Sequence, residues 1–385
     1  MSLIRTDYII SPYSAEQSIL EISGDYFTIN TDAKKLIEIL SVSKNYQEAT
    51  HIFNSDFQNI NLNENEFIRF IENIFAEIPI FNSSSLEVKK TKSFIKFQRT
   101  LLSPSIASQL ANCILFLFNK KVFWIIFPVL FISGIFTIIA TPVPYKNISP
   151  LWIFVFYTLS IFFHELGHIA ACKKYTRQNG EIGFGIYFLF PVLYSNISAI
   201  WHGSKEERII TNLAGIYMQL WCMLCFYVAY WFTQNETALF LTYFTAVYCI
   251  IQIFPFIRSD GYWLLSDISS TSNLLGKSGK EVKLFIKHPL QWLREKREKK
   301  IFLLIYGLFN TLILTYFIVY QVLFHWKDIL YFPITVLDIL KLIFTLQFSH
   351  ISLPDHFIVT SVFYLLLFTQ IKNLFSRFSQ KKETA

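Results

Sequence analysis

The feature that most constrains this chain is a series of nearly uncharged apolar runs, each long enough to cross a lipid bilayer. A helix needs about 20 apolar residues to cross the hydrocarbon core. Because lipid offers the backbone no hydrogen bonds, such runs must be helical. The sequence therefore predicts a mainly α, polytopic membrane protein with about six transmembrane helices, at 122–140, 151–171, 209–232, 237–257, 301–324 and 357–374.

The composition fits a surface that faces lipid. Hydrophobic residues make up 53% of the chain and charged residues 16%, whereas soluble proteins have about 25% charged residues. The net charge of +7 does not indicate nucleic-acid binding, because basic residues beside apolar runs serve to orient membrane proteins. We therefore predict membrane lipid as a partner and exclude nucleic acid.

The basic residues lie in alternate loops, which predicts the orientation. They cluster before the first run, between the second and third, between the fourth and fifth, and after the sixth. Positively charged loops stay in the cytoplasm, so we expect a multi-pass protein of the cell membrane with both termini cytoplasmic. A further apolar stretch, 331–348, contains Pro333, Asp338 and Lys341 and is interpreted as interfacial or re-entrant.

Residues 1–82 have the pattern of a small soluble domain. Short strands are predicted at 8–10 and 26–29, and three amphipathic helices follow. Asn63 and Glu66 have the spacing of a helix capping box. This order predicts an N-terminal α+β, winged-helix-like cytoplasmic domain. Residues 83–121 are predicted to be a linker with an interfacial helix. Residues 122–267 are predicted to form a membrane core that carries the chemistry, and residues 268–385 a basic cytoplasmic loop with C-terminal transmembrane helices.

The second apolar run contains the motif His164-Glu165-Leu166-Gly167-His168. Two histidines four residues apart project from the same face of a helix. That spacing allows both imidazoles to bind one tetrahedral zinc ion. Glu165 is then placed to accept a proton from a zinc-bound water, whose pKa falls to about 7. The alternatives are a chance motif and a pair of structural histidines.

A catalytic zinc needs a third protein ligand, and the end of the fourth apolar run supplies a candidate carboxylate, Asp260. The predicted topology puts Asp260 and the two histidines on the same side of the membrane. Pro255 and Gly261 interrupt the helix there, and irregular backbone is tolerated at membrane depth where it lines a cavity. We therefore predict one Zn²⁺ held by His164, His168 and Asp260, with Glu165 as the general base.

These residues resemble the motifs of the site-2 protease family of intramembrane zinc metalloproteases, over about 151–267. His164–His168 matches the family's H-E-x-x-H, and Gln252 to Gly261 matches its N-x-x-P-x-x-x-x-D-G with Gln in place of Asn. The segment 214–219 is similar to A-G-P-x-x-N but lacks the proline and carries Gln219 at the last position. The resemblance implies a zinc metalloendopeptidase, and the departures affect substrate positioning rather than the ligands.

Two further segments are similar to peptide-processing systems. Residues 180–195 look like a segment of the peptide zinc metalloprotease branch, where a strand edge binds an unwound substrate; the alternative is hydrophobic packing. The N-terminal domain is similar in outline to leader-recognition domains of ribosomal-peptide maturation; the alternative is a structural cap. The resemblance implies a bacterial enzyme that cleaves a ribosomally made precursor peptide, of the epipeptide type, with a peptide exporter and a modifying enzyme as partners.

The sequence leaves several choices open. Asn212, Gln219 and Gln252 are candidates to hold the extended substrate or the oxyanion, and the sequence does not choose among them. A membrane-associated peptide substrate is also compatible with the motifs. Two other functions remain as alternatives: a signalling protease that cleaves an anti-sigma factor, and a non-catalytic metal transporter or immunity protein. The cleavage site and the oligomeric state are not determined.

Overall fold

The computed structural model of the protein describes residues 3–57, 60–81, 95–140, 148–187, 190–256, 258–345, 354–357 and 359–368. The chain forms two compact units. The first comprises Met1–Phe94, Gln98–Phe184 and Leu193–Ser272, and the second comprises Ile95–Phe97, Gly185–Val192 and Asn273–Ala385.

The N-terminal module opens the first unit with an antiparallel sheet of order β1-β2-β3 and continues with three helices. Its elements are β1 (Tyr8–Pro12), β2 (Gln17–Ile22), β3 (Asp25–Asn30), α1 (Thr31–Val42), α2 (Tyr46–Asp56) and α3 (Glu64–Ile74). A tight turn with positive φ at Ser23 and Gly24 joins β2 to β3. The expected strands thus lie in β1 and β3, while β2 was not predicted.

Side-chain caps fix where the helices of this module begin. The side chains of Asn30, Asn45 and Asn63 accept hydrogen bonds from the first turns of α1, α2 and α3. At α3 both bonds of the predicted capping box are present, because Glu66 accepts from the backbone of Asn63 in return. Apolar side chains from the sheet and the helices then form one core that includes Leu20, Ile37, Leu40, Phe53 and Phe67.

The described residues beyond this module are mostly helical. The helices are α4 (Pro104–Asn112), α5 (Lys120–Ala140), α6 (Pro150–Thr176), α7 (Lys205–Thr233), α8 (Glu236–Ile253), α9 (Asp260–Ile268), α10 (Leu274–Lys287), α11 (Pro289–Arg294), α12 (Lys300–Phe324) and α13 (Trp326–Phe344). A second sheet has the order β4-β5-β6, formed by β4 (Ile95–Leu102), β5 (Ile182–Tyr187) and β6 (Phe190–Ser195).

Five helices among the described residues, α5, α6, α7, α8 and α12, are long and apolar enough to cross a membrane. They correspond to the first five predicted runs. At the sixth, 357–374, the described residues contain only a shorter apolar helix, Val359–Phe368, and the end of that run lies outside them. The stretch 331–348 is helical as far as Phe344, within α13, and its interfacial placement stays a prediction.

The core of the first unit forms where α7 packs against α6, α8 and α9. Lipid provides no hydrophobic drive between helices, so membrane helices associate through close packing, which small residues allow. A Cβ on Gly167 of α6 would come within 2.5 Å of the Ala214 carbonyl oxygen of α7. Tyr217 of α7 also packs edge-on against Phe123 and Phe127 of α5. Helix α7 is consequently the most enclosed of the five long apolar helices.

Candidate metal centre

Helix α6 carries the H-E-x-x-H motif in its buried second half. His164, Glu165 and His168 are each less than one-tenth exposed. The helix starts with Pro150 in its first turn, where a backbone N–H would have no partner within the helix, so proline's lack of one has no cost. Helical spacing then puts the two imidazoles on one face of the helix, edge to face, with ring centroids 4.7 Å apart.

Three ligand atoms converge at this point. The Nε2 atoms of His164 and His168 are 3.1 Å apart. Oδ2 of Asp260 lies 3.2 Å from Nε2 of His164 and 3.6 Å from Nε2 of His168. A tetrahedral zinc ion with bonds of about 2.0–2.1 Å would separate its ligand atoms by about 3.3–3.4 Å. The observed spacing therefore fits a single ion of that size.

The outer nitrogens of the two rings determine which tautomer is present. Nδ1 of His168 lies 2.7 Å from the Thr211 carbonyl oxygen, which can only accept, so Nδ1 must donate. Nδ1 of His164 lies 3.1 Å from Oε1 of Gln219. With the proton on Nδ1, a neutral imidazole turns the lone pair of Nε2 toward the centre. Both rings therefore present lone pairs to the same point.

The inner atoms of the site lack a compensating donor. With lone pairs on both Nε2 atoms, no described group donates a hydrogen bond to the buried Oδ2 of Asp260. Two lone pairs and a carboxylate oxygen within 3.6 Å repel one another unless a cation lies between them. Imidazole and carboxylate are ligands that suit zinc. The donor set therefore fits the predicted metal.

A glycine of α7 makes room for the two rings. A Cβ at Gly215 would lie 2.5 Å from Nε2 of both His164 and His168. Real Cβ atoms do not approach other atoms so closely, so only glycine leaves the inner nitrogens in place. Gly215 lies in the segment 214–219 that resembles the family motif, but its steric role leaves no local signal in the sequence.

A break between α8 and α9 positions the third ligand. Helix α8 ends at Ile253, two residues before Pro255, and α9 begins at Asp260. The Ser259 hydroxyl donates to the Phe254 carbonyl oxygen at 2.8 Å and so helps close the connection. A Cβ at Gly261 would collide with the Ile253 carbonyl oxygen. The predicted interruption therefore turns the chain sharply and brings Asp260 back to α6.

Glu165 lies beside the three ligand atoms without joining them. Its carboxylate interacts electrostatically with His164 and His168, and the side chain of Ser195 at the end of β6 faces it. Ser195 was not predicted as a site residue, because a serine thirty residues from Glu165 leaves no local pattern in the sequence. Its only signal was its place at the end of segment 180–195.

The three predicted substrate residues lie in different surroundings. Gln219 holds His164 through Oε1, and its Nε2 has no hydrogen-bond partner among the described residues. Gln252 has a buried Oε1 that no described group donates to. Asn212 instead donates from Nδ2 to the carboxylate of Asp267 at 2.7 Å. The two glutamines thus retain free polar atoms, whereas the amide nitrogen of Asn212 is engaged.

Comparison with known proteins gives one relative by sequence. The chain is 26% identical over 119 residues to the protein named "Putative peptide zinc metalloprotease protein YydH" of Bacillus subtilis (strain 168). The match covers 30% of this chain and 47% of the relative, so the chain spans about half the relative's length. No protein-family model and no solved structure matches. This similarity and the candidate metal group together support a metalloprotease-like function.

Proposed function

We propose that this protein is a membrane-embedded zinc metalloendopeptidase of the site-2 protease type. One observation carries the proposal: His164, His168 and Asp260 converge within 3.6 Å, and a buried glutamate that is not a ligand lies beside them. A transport or structural metal site needs the ligands but has no use for a buried Glu165. A hydrolase needs that glutamate as its base.

The residues of the site have separate tasks in this reaction. Zinc, when bound, polarises the attacking water and the scissile carbonyl. Glu165 accepts the proton of the water and passes it to the leaving amine. Ser195, whose side chain lies beside Glu165, orients the carboxylate. Nε2 of Gln219 can donate to a carbonyl of the substrate, and Oε1 of Gln252 can accept from a backbone N–H.

The substrate we propose is an extended segment of a ribosomally made precursor peptide or of a membrane-associated peptide. A helical segment must unwind first, because its carbonyls are occupied by its own hydrogen bonds. The relative's name includes "peptide", which supports a peptide substrate. Both termini of this chain face the cytoplasm in this proposal, with a peptide exporter and a modifying enzyme as partners.

The test is Glu165→Gln in the purified full chain, assayed with a peptide library and mass-spectrometric detection of new termini. We expect cleavage to fall by about 10²–10⁴-fold, the contribution of a positioned base, while one zinc per chain is retained. Glu206→Gln is the matched control, because Glu206 is exposed and pairs with Lys120; its cleavage should equal that of the wild type.

Two results would contradict the proposal. One is equal cleavage by the wild type and Glu165→Gln. The other is stoichiometric zinc in both His164→Ala and Asp260→Ala, measured by elemental analysis, because the zinc would then be bound elsewhere.

A further inference from the structure

A second buried polar cluster lies along α9 from the candidate metal centre. Its centre is the carboxylate of Asp267, which accepts from Nε of Arg208 at 2.7 Å and from Nδ2 of Asn212 at 2.7 Å. The hydroxyl of Tyr13, in the N-terminal module, donates to the same carboxylate at 3.4 Å. We name these four residues the Asp267 cluster.

Arg208 is enclosed on every side within this cluster. It is 2% exposed, and its terminal nitrogens donate to the carbonyl oxygens of Gly203 and Tyr13. Its guanidinium also lies over the Tyr13 ring, 4.4 Å from the centroid. A buried guanidinium is costly to desolvate unless its donors are satisfied. The residue is therefore held in one position.

The geometry connects this cluster to the metal ligands through two helices. Asp260 and Asp267 are seven residues apart in α9, about two helical turns, so they lie on the same face. On α7, Arg208 and Asn212 flank Thr211, whose carbonyl fixes the tautomer of His168. The Asp267 cluster thus joins the helix that carries the metal carboxylate to the helix that supports the imidazoles.

We propose that Arg208, Asn212 and Asp267 are positioning residues for Asp260, and that Tyr13 of the N-terminal module completes the cluster, so that docking of this module increases the affinity of the site for zinc. The inference rests on the proposed function only for the identity of the metal ligands. None of the four residues touches substrate or metal in this role.

Independent contacts seat the N-terminal module beside the cluster. The Ser11 hydroxyl lies 2.6 Å from Nδ1 of His202, and Oε2 of Glu21 lies 2.7 Å from Nε2 of the same ring. Tyr13 packs its ring against Trp201. Burial, together with the negative charge of Asp267, raises the pKa of Tyr13 to about 12. The phenol therefore stays protonated at physiological pH and remains a donor.

The test measures zinc affinity by chelator competition, and the visible spectrum of the Co²⁺ form, in the purified full chain. Loss of a residue that supports a ligand lowers metal affinity by about 10–100-fold, and we expect this for Asp267→Asn. Asp267→Glu, which keeps the charge, should recover part of the loss. Tyr13→Phe removes one hydroxyl and should weaken binding by about 3-fold, within the range of one hydrogen bond.

Glu38→Gln is the matched control, because the exposed side chain of Glu38 in α1 pairs with Lys34 of the same module and not with a residue outside it; its zinc affinity should equal that of the wild type. Wild-type affinity and an unchanged Co²⁺ spectrum in folded Asp267→Asn and Tyr13→Phe would overturn the inference. If Asp267→Asn does not fold, Tyr13→Phe alone decides. Peptide cleavage does not enter the measurement, so a failure of the proposed protease would show separately, as a zinc-loaded wild type without cleavage.

Discussion

Two carboxylates of α9, Asp260 and Asp267, have opposite surroundings. Asp267 is surrounded by donors, with Arg208 balancing its charge. Asp260 is surrounded by lone pairs from two imidazoles. The first cluster is complete with protein atoms alone, whereas in the second Oδ2 of Asp260 has no hydrogen-bond donor among the described residues and the three groups fit a metal ion. The comparison shows that burial by itself does not mark a metal site; what marks it is a set of acceptors without their donors.

The first consequence concerns stability without metal. Arg208→Met should lower the free energy of unfolding by about 3–5 kcal/mol, because it leaves the Asp267 carboxylate buried without a cation. Both variants are measured in an excess of chelator. His164→Ala should lower the free energy of unfolding clearly less, because the metal-free centre has no complete hydrogen-bond network to lose. Denaturant titration in detergent measures both. Equal losses would remove the distinction between the two clusters.

Steric occupation of the metal centre should have a smaller effect. Gly215→Ala puts a methyl group against Nε2 of both histidines, and overpacking of this kind costs about 1–3 kcal/mol. We therefore expect zinc affinity to fall by about 10–100-fold. Gly279→Ala in α10 is the control, since a Cβ there meets nothing within 4 Å. Unchanged zinc binding by Gly215→Ala would contradict the convergence of the rings.

The smallest effect is expected at Ser195. Ser195→Ala removes a hydroxyl beside the Glu165 carboxylate, and a hydrogen bond to a charged group contributes about 1.5–3 kcal/mol. We expect peptide cleavage to slow by about 10-fold while the zinc content stays constant. Measuring the cleavage rate and the zinc content of the same preparation tests both expectations. Loss of zinc in this variant would mean that Ser195 supports the ligands rather than the base.

Local patterns in the sequence predicted much of this molecule. The five long apolar helices follow from runs of uncharged residues, and the capping box at Asn63 and Glu66 follows from a spacing of three. The break before Asp260 follows from Pro255 and Gly261. Strand β2 was missed, because its buried residues Ile19 and Leu20 are adjacent rather than alternating. The stretch 83–121 was interpreted as a linker with an interfacial helix, and the structure has β4 and α4 within it.

The sequence by itself determined that two imidazoles share a helix face, because that relation depends only on helical geometry over four residues. Which partner each polar side chain takes was decided by the tertiary structure. Asn212 and Arg208 meet Asp267 across 55 and 59 residues, and Gln219 meets His164 across 55. Contacts over such distances depend on how α7 packs against α6 and α9, and no local periodicity records that packing.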